Sequence, residues 1–96
     1  MDFEIAKNQI EDENIWFDGG VGSSYEDAVI IRGASNTVAG VKAEKRFISQ
    51  RISDWHFITQ ELFTRNKKKY DALTVRLVDG SWEKFYFDIS EFFGKF

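Results

Sequence analysis

The sequence predicts an α+β fold: a largely antiparallel sheet of about four to six strands, one main helix packed on one face, and a short C-terminal helical turn. Three observations carry this expectation. Residues 70–89 alternate apolar and polar side chains on either side of Asp79-Gly80, the pattern of a β-hairpin. After Gly33, a stretch running to about Arg51 places apolar side chains at helical spacing from Val38 onward. Between residues 26 and 32, Ala28-Val29-Ile30-Ile31 forms a run rich in β-branched side chains, suited to a strand buried on both faces.

The hairpin is the most constrained of these elements. Leu73, Val75 and Leu77 share one face of its first strand, and Phe85, Phe87 and Ile89 share one face of its second. Because side chains alternate with period two, only a loop with an odd number of residues brings both sets to the same side of the sheet. A three-residue loop with Gly80 in the left-handed conformation is expected.

In chain order, Phe3 and Ile5 alternate with Glu4, and Ile15-Trp16-Phe17 forms a short apolar run, so two short strands are expected near the N-terminus. Residues 9–14 read as a turn or short helix, and 18–24, rich in glycine and serine, as a loop. Whether residues 1–24 join the sheet is the least determined part of this reading. An interior strand follows over 26–32, and Gly33 ends it. Ser35, Asn36 or Thr37 then offers an N-cap oxygen for a helix running to about Arg51. Val38, Val41, Ile48 and Ile52 form its apolar stripe, widened by Gly40, Ala43 and Phe47, while Lys42, Arg46, Ser49 and Gln50 lie opposite.

Residues 54–65 read as a strand with Trp55, Phe57 and Phe63 on one side and Ile58 and Leu62 on the other, joined through a basic turn at 65–69 to the hairpin. In the tail, Asp88 is placed to cap, Glu91 holds the capping-box position, and Phe87 and Phe92 have the spacing of a hydrophobic staple. Gly94 stops that helix after about one turn, leaving Phe92, Phe93 and Phe96 to cover an open end of the core.

Composition bounds the function. A chain of 96 residues, 43% of them hydrophobic and 10 of them phenylalanine, is long enough for one core, so residues 1–96 are expected to form a single α+β domain. With no cysteine there is no disulfide, thiolate zinc site or cysteine nucleophile, and with no proline the turns fall to Gly, Asn and Asp. Asp2 and Glu4 are unlike the basic head of a secretory signal, and no apolar stretch approaches the ~18 residues that span a bilayer. A cytoplasmic protein with no membrane partner is therefore expected. The net charge of −3 is uneven: residues 1–27 carry eight acids and one base, the remaining 69 carry twelve bases and eight acids. Ordinary solvation of both parts is the preferred reading of that asymmetry, ahead of an acidic arm lying across a basic surface.

No motif for catalysis, metal or cofactor emerges, so no catalytic residue, metal site or cofactor is expected. His56, the only imidazole, has Asp54 two residues before it, but no serine is marked as an activated nucleophile. Glu44 falls inside the apolar stripe of the helix, where a carboxylate must find a partner or shift its pKa upward. An ion pair with Arg51 or Arg32 is the expected resolution. Residues 19–24 lack the lysine and following helix of a phosphate loop, and the N-terminal acids lack the spacing of a calcium loop.

The hairpin face opposite Leu73, Val75 and Leu77 combines rings with positive charge. This is the basis of the functional expectation: a small non-catalytic interaction module, binding a protein partner or a second copy of itself through that face or an uncovered edge strand. Trp82 and Tyr86 are the expected anchors, with Tyr70, Arg76 and Lys84 beside them. The alternative is an oligonucleotide-binding module using the same rings with Arg65, Lys67, Lys68 and Lys69, a reading that the net acidity disfavours. A third is a small-ligand binder or enzyme centred on His56 or Glu44.

Overall fold

A computed structural model describes residues 14–95. Among the described residues there are five strands and one helix: β1 (Trp16–Gly19), β2 (Val29–Arg32), α1 (Thr37–Arg51), β3 (Trp55–Arg65), β4 (Lys68–Leu77) and β5 (Trp82–Asp88). The strands form one sheet in the order β1-β2-β5-β4-β3, in which only β2 and β5 run parallel. This is an α+β fold. The expected strand around Phe3 and Ile5 lies outside the described residues, whereas residues 16–19 do join the sheet, as its β1 edge. No helix among the described residues is long and apolar enough to cross a membrane.

The β4–β5 hairpin follows from its alternation. Leu73 stands opposite Phe85 and Val75 opposite Glu83, and Leu77 N–H donates to Ser81 C=O (2.8 Å), which leaves residues 78–80 as a three-residue loop. Gly80 has φ +89° and donates to Leu77 C=O. Asp79 Oδ1 braces the turn by accepting from both Ser81 N–H (3.0 Å) and Ser81 Oγ–H (2.6 Å), and these bonds hold its carboxyl below the usual carboxylate range.

Asn36 caps α1 with its side-chain oxygen, which accepts from Ala39 N–H at 2.8 Å. The helix lies on the sheet face that carries Val29, Ile31, Leu73, Val75, Phe85 and Phe87, and contributes Ala43, Phe47 and Ile48 to that core. Phe47 meets Phe17, Phe87 and Phe85 edge-on, with centroids 5.1, 5.7 and 6.5 Å away. The buried stripe runs through Gly40, Ala43, Glu44, Phe47 and Ile48, so it is rotated from the expected one, and Val38 is 66% exposed. The rotation has a packing cause: the ring of Phe92 sits where a side chain on residue 40 would be, which draws the glycine face of the helix inward.

Three expectations are corrected. β3 contains a bulge between Phe57 and Thr59, which resets its alternation. Phe57, opposite Val75, and Leu62, opposite Asp71, therefore share the helix side, while Phe63, opposite Tyr70, turns to the other. The turn after β3 is only Asn66-Lys67, both with positive φ (53° and 66°), so Lys68 and Lys69 belong to β4. The tail is a run of turns with one α-type bond, Phe93 N–H to Ile89 C=O (3.0 Å), and two tighter ones, Phe92 N–H to Ile89 C=O (3.2 Å) and Lys95 N–H to Phe92 C=O (3.0 Å). There Asp88 Oδ1 accepts from Ser90 N–H, but Glu91 reaches across to Gly33 N–H (2.9 Å) instead of closing a capping box. Phe92 is buried as expected, Phe93 is exposed, and Phe96 lies outside the described residues.

Candidate functional site

The sheet face away from α1 carries every residue singled out as an interaction candidate. The ladder sets Arg76 opposite Trp82, Thr74 opposite Lys84, Ala72 opposite Tyr86 and Tyr70 opposite Asp88, and β3 adds His56, Glu61, Phe63 and Arg65. The two ends of this face differ.

At one end the face is closed by the chain itself. Tyr70 is 7% exposed, stacked on Phe63 (5.3 Å, 19° between planes) and met edge-on by Tyr25 at 5.9 Å. Arg65 lies 4.2 Å over the Tyr25 ring. Tyr25 comes from the β1–β2 connection, which is anchored where Gly22 C=O accepts from Tyr86 N–H (2.9 Å) and Gly22 N–H donates to Asp27 C=O. Burial, with Asp88 nearby, raises the pKa of the Tyr70 phenol. Tyr70 is thus part of a second, smaller packing cluster and is not an exposed anchor. Next to it, Tyr25, Glu61, Phe63, Arg65, Lys84 and Tyr86 line a depression of about 420 Å³. Within it Lys84 lies 5.6 Å from the Tyr86 ring and 3.9 Å from Glu61.

At the other end, no segment among the described residues covers the face. Trp82 is 63% exposed and Val78 79% exposed, with Arg76, Lys84 and His56 also exposed beside them. Asp54, His56, Arg76 and Val78 border a shallow depression of about 330 Å³. Among the described residues no hydrogen bond or ion pair joins His56 to Asp54, so the pair lacks the geometry of an oriented general base. On the β2 side, only Phe87 and Asp88 of β5 are paired, and a notch of about 540 Å³ lined by Val21, Ser23, Arg51, Trp82 and Lys84 opens beside the rest.

The four candidate nucleic-acid contacts sit around the β3–β4 turn, with Arg65 directly opposite Lys68, and three of them already hold other partners. Arg65 stacks on Tyr25, Lys68 pairs with Asp88 at 4.0 Å, and Lys69 bonds Thr64 Oγ1 and covers the Phe93 ring. Among the described residues Lys67, at the turn, is the one of the four without such a contact. Lys42, Lys45 and Arg46 lie on α1, across the sheet from the aromatic face.

Among the described residues no ion pair involves Glu44. Arg51 stacks on Phe47 at 4.2 Å and Arg32 pairs with Asp18 at 3.5 Å, both away from it. Instead Glu44 faces the carboxyl of Asp71 across the helix–sheet interface, each 1% exposed. Desolvation first, then the bond and charge of Asp71, push the Glu44 pKa up to about 10. Two carboxylates have only acceptors to offer each other, and among the described residues no other group donates to the oxygens of Glu44 or to Asp71 Oδ1. The proton retained by Glu44 resolves this by donating to Asp71, which also accepts from Gln60 Nε2 at 3.0 Å. Burial raises the Asp71 pKa as well.

Sequence reasoning missed Tyr25, a lone ring in a polar loop with no periodicity to mark it. Asp71 was readable, since it has the parity of Leu73 and Val75 and must share their buried side. Among the described residues no group of three or more His, Asp or Glu could hold a metal ion. Comparison with protein-family models, curated proteins and solved structures finds no match to this chain.

Proposed function

We propose that the protein is a non-catalytic interaction module that docks a protein partner on the bare end of the sheet face away from the helix. The observation that carries this reading is Trp82, 63% exposed on a strand held on one side by β4 and from below by the core. A large ring presented on a rigid strand loses little conformational entropy on binding, which is why tryptophan dominates binding hot spots. Val78 enlarges the apolar patch, Arg76 and Lys84 supply directional polar contacts, and half-buried Tyr86 forms its inner wall. Tyr70, enclosed by Tyr25 and Phe63, supports the frame.

The test is affinity capture with cross-linking, comparing the whole chain with Trp82→Ala and Arg76→Glu. One protein retained by the wild type and lost from both variants is the expected result. A wild type that retains nothing beyond what Trp82→Ala retains sinks the proposal.

A second reading, binding of a single-stranded oligonucleotide, draws on the depression lined by Tyr25, Phe63, Tyr86, Arg65 and Lys84. It predicts quenching of Trp82 fluorescence by single-stranded RNA or DNA and an affinity that falls steeply with salt. Unchanged fluorescence at low salt with both nucleic acids eliminates it.

A further inference from the structure

Among the described residues the sheet ends at β3, a strand of 11 residues with no further strand paired beyond it. Its outward backbone groups follow from the ladder. Leu77 N–H bonds Ser81 C=O and Ile89 N–H bonds Lys69 C=O, so odd residues of β4 turn to β5 and even ones to β3. The partners of those even residues are His56, before the bulge, and Thr59, Glu61, Phe63 and Arg65 after it. Gln60, Leu62 and Thr64 consequently direct their N–H and C=O away from the sheet.

Edges are normally protected by brevity, proline, bulges or rows of charge. The opposite edge, β1, is only four residues long. On β3 the bulge disrupts the stretch before Thr59, but residues 59–65 lie between bulge and turn without proline or glycine and carry only Glu61 and Arg65 as charges. Leu62, 49% exposed, sits at the middle of this segment.

We propose that two copies of the chain pair antiparallel through residues 59–65 of β3, joining their sheets edge to edge, with Phe63 on the two-fold axis. In that register Glu61 lies directly opposite the partner's Arg65, and the symmetry repeats the pair. Leu62 and Thr64 exchange backbone hydrogen bonds with their counterparts in the second copy, and the two Phe63 rings occupy the non-hydrogen-bonded position where side chains approach most closely. A slip of two residues in each strand toward the bulge sets Glu61 against Glu61, which opposes like charges. The contacts Arg65 already makes are compatible: it presents its flat face to Tyr25 and keeps its N–H rim for a carboxylate. The Lys84–Glu61 contact, at 3.9 Å with both side chains well exposed, competes weakly. This pairing uses a different surface from the Trp82 patch and stands whether or not that patch binds a protein.

Sedimentation equilibrium of the whole chain tests it. The wild type is expected at twice the 11.2 kDa chain mass at high protein concentration, dissociating on dilution. Thr64→Pro removes an outward N–H without touching the β4 ladder and should weaken the dimer about tenfold or more. Glu61→Arg should do the same by setting like charges opposite each other, and the exchange Glu61→Arg with Arg65→Glu should restore it. Trp82→Ala should leave the dimer intact, and circular dichroism verifies that each variant is folded. A wild type that is monomeric at every concentration overturns the proposal. So does a dimer that survives Glu61→Arg, one that the charge exchange fails to restore, or one that Trp82→Ala dissociates.

Discussion

The two faces of this sheet both carry aromatic rings, and they use them differently. Under the helix, Phe47, Phe85, Phe87 and Phe92 are all buried and meet one another and Gly40 in a continuous core. On the far face the rings grade from Tyr70, enclosed by Tyr25 and Phe63, to Trp82, which projects into solvent. Enclosure by the chain's own segments, not ring content, separates a packed face from an exposed one. The far face is half of each, because the β1–β2 connection reaches Tyr70 but stops at Gly22 beside Tyr86.

Substitutions can break this comparison at four strengths. The largest effect is expected from Phe87→Ala, which empties the centre of the helix-side core; chemical denaturation should show a loss of about 3–5 kcal/mol. Next comes Glu44. Its pKa is higher folded than unfolded, so the folded state retains a proton that the unfolded state releases, and stability falls as pH rises from about 4.5 toward about 10. The slope attributable to this group is about 1.4 kcal/mol per pH unit. Glu44→Gln, which still donates to Asp71, should remove that slope, leaving the variant the more stable of the two by an amount that grows between pH 6 and pH 8. Equal pH profiles for the two proteins would show that the carboxyl pair is not protonated as described.

A smaller loss, about 1–2 kcal/mol, is expected for Tyr25→Ala, which removes the edge contact to Tyr70 and the Arg65 stack. It should also make the Tyr70 phenol titrate closer to its ordinary range. The smallest stability change, within about 0.5 kcal/mol, belongs to Trp82→Ala, an exposed position in no packing cluster. A substantial loss from Trp82→Ala alongside none from Tyr25→Ala would reverse the assignment of the two ends.

Much of the architecture could be read from local pattern. The alternation of residues 70–89 led to the three-residue loop and the shared face of Leu73 and Phe85, because period two leaves no other register that buries both sets. The cap was narrowed to Ser35, Asn36 or Thr37 by side-chain chemistry, with Asn36 the one that caps, and the helix end was placed at about Arg51, where it lies. The candidate site was legible only as a set of residues on one face. Its division into a closed and a bare end was not, because Tyr25 is remote in sequence from Tyr70 and nothing local ties them together.

By itself, then, the sequence determined the main helix, the interior strand, the hairpin with its register and the side of the sheet that meets the helix, since each depends on the periodicity of neighbouring residues. Only tertiary structure decided that a bulge at 57–59 moves Phe63 to the far face, that Glu44 meets Asp71 rather than an arginine, and that β3 lies at an edge. Those outcomes depend on which distant segments share space, and side chains far apart in the chain are brought together by packing rather than by any pattern along it.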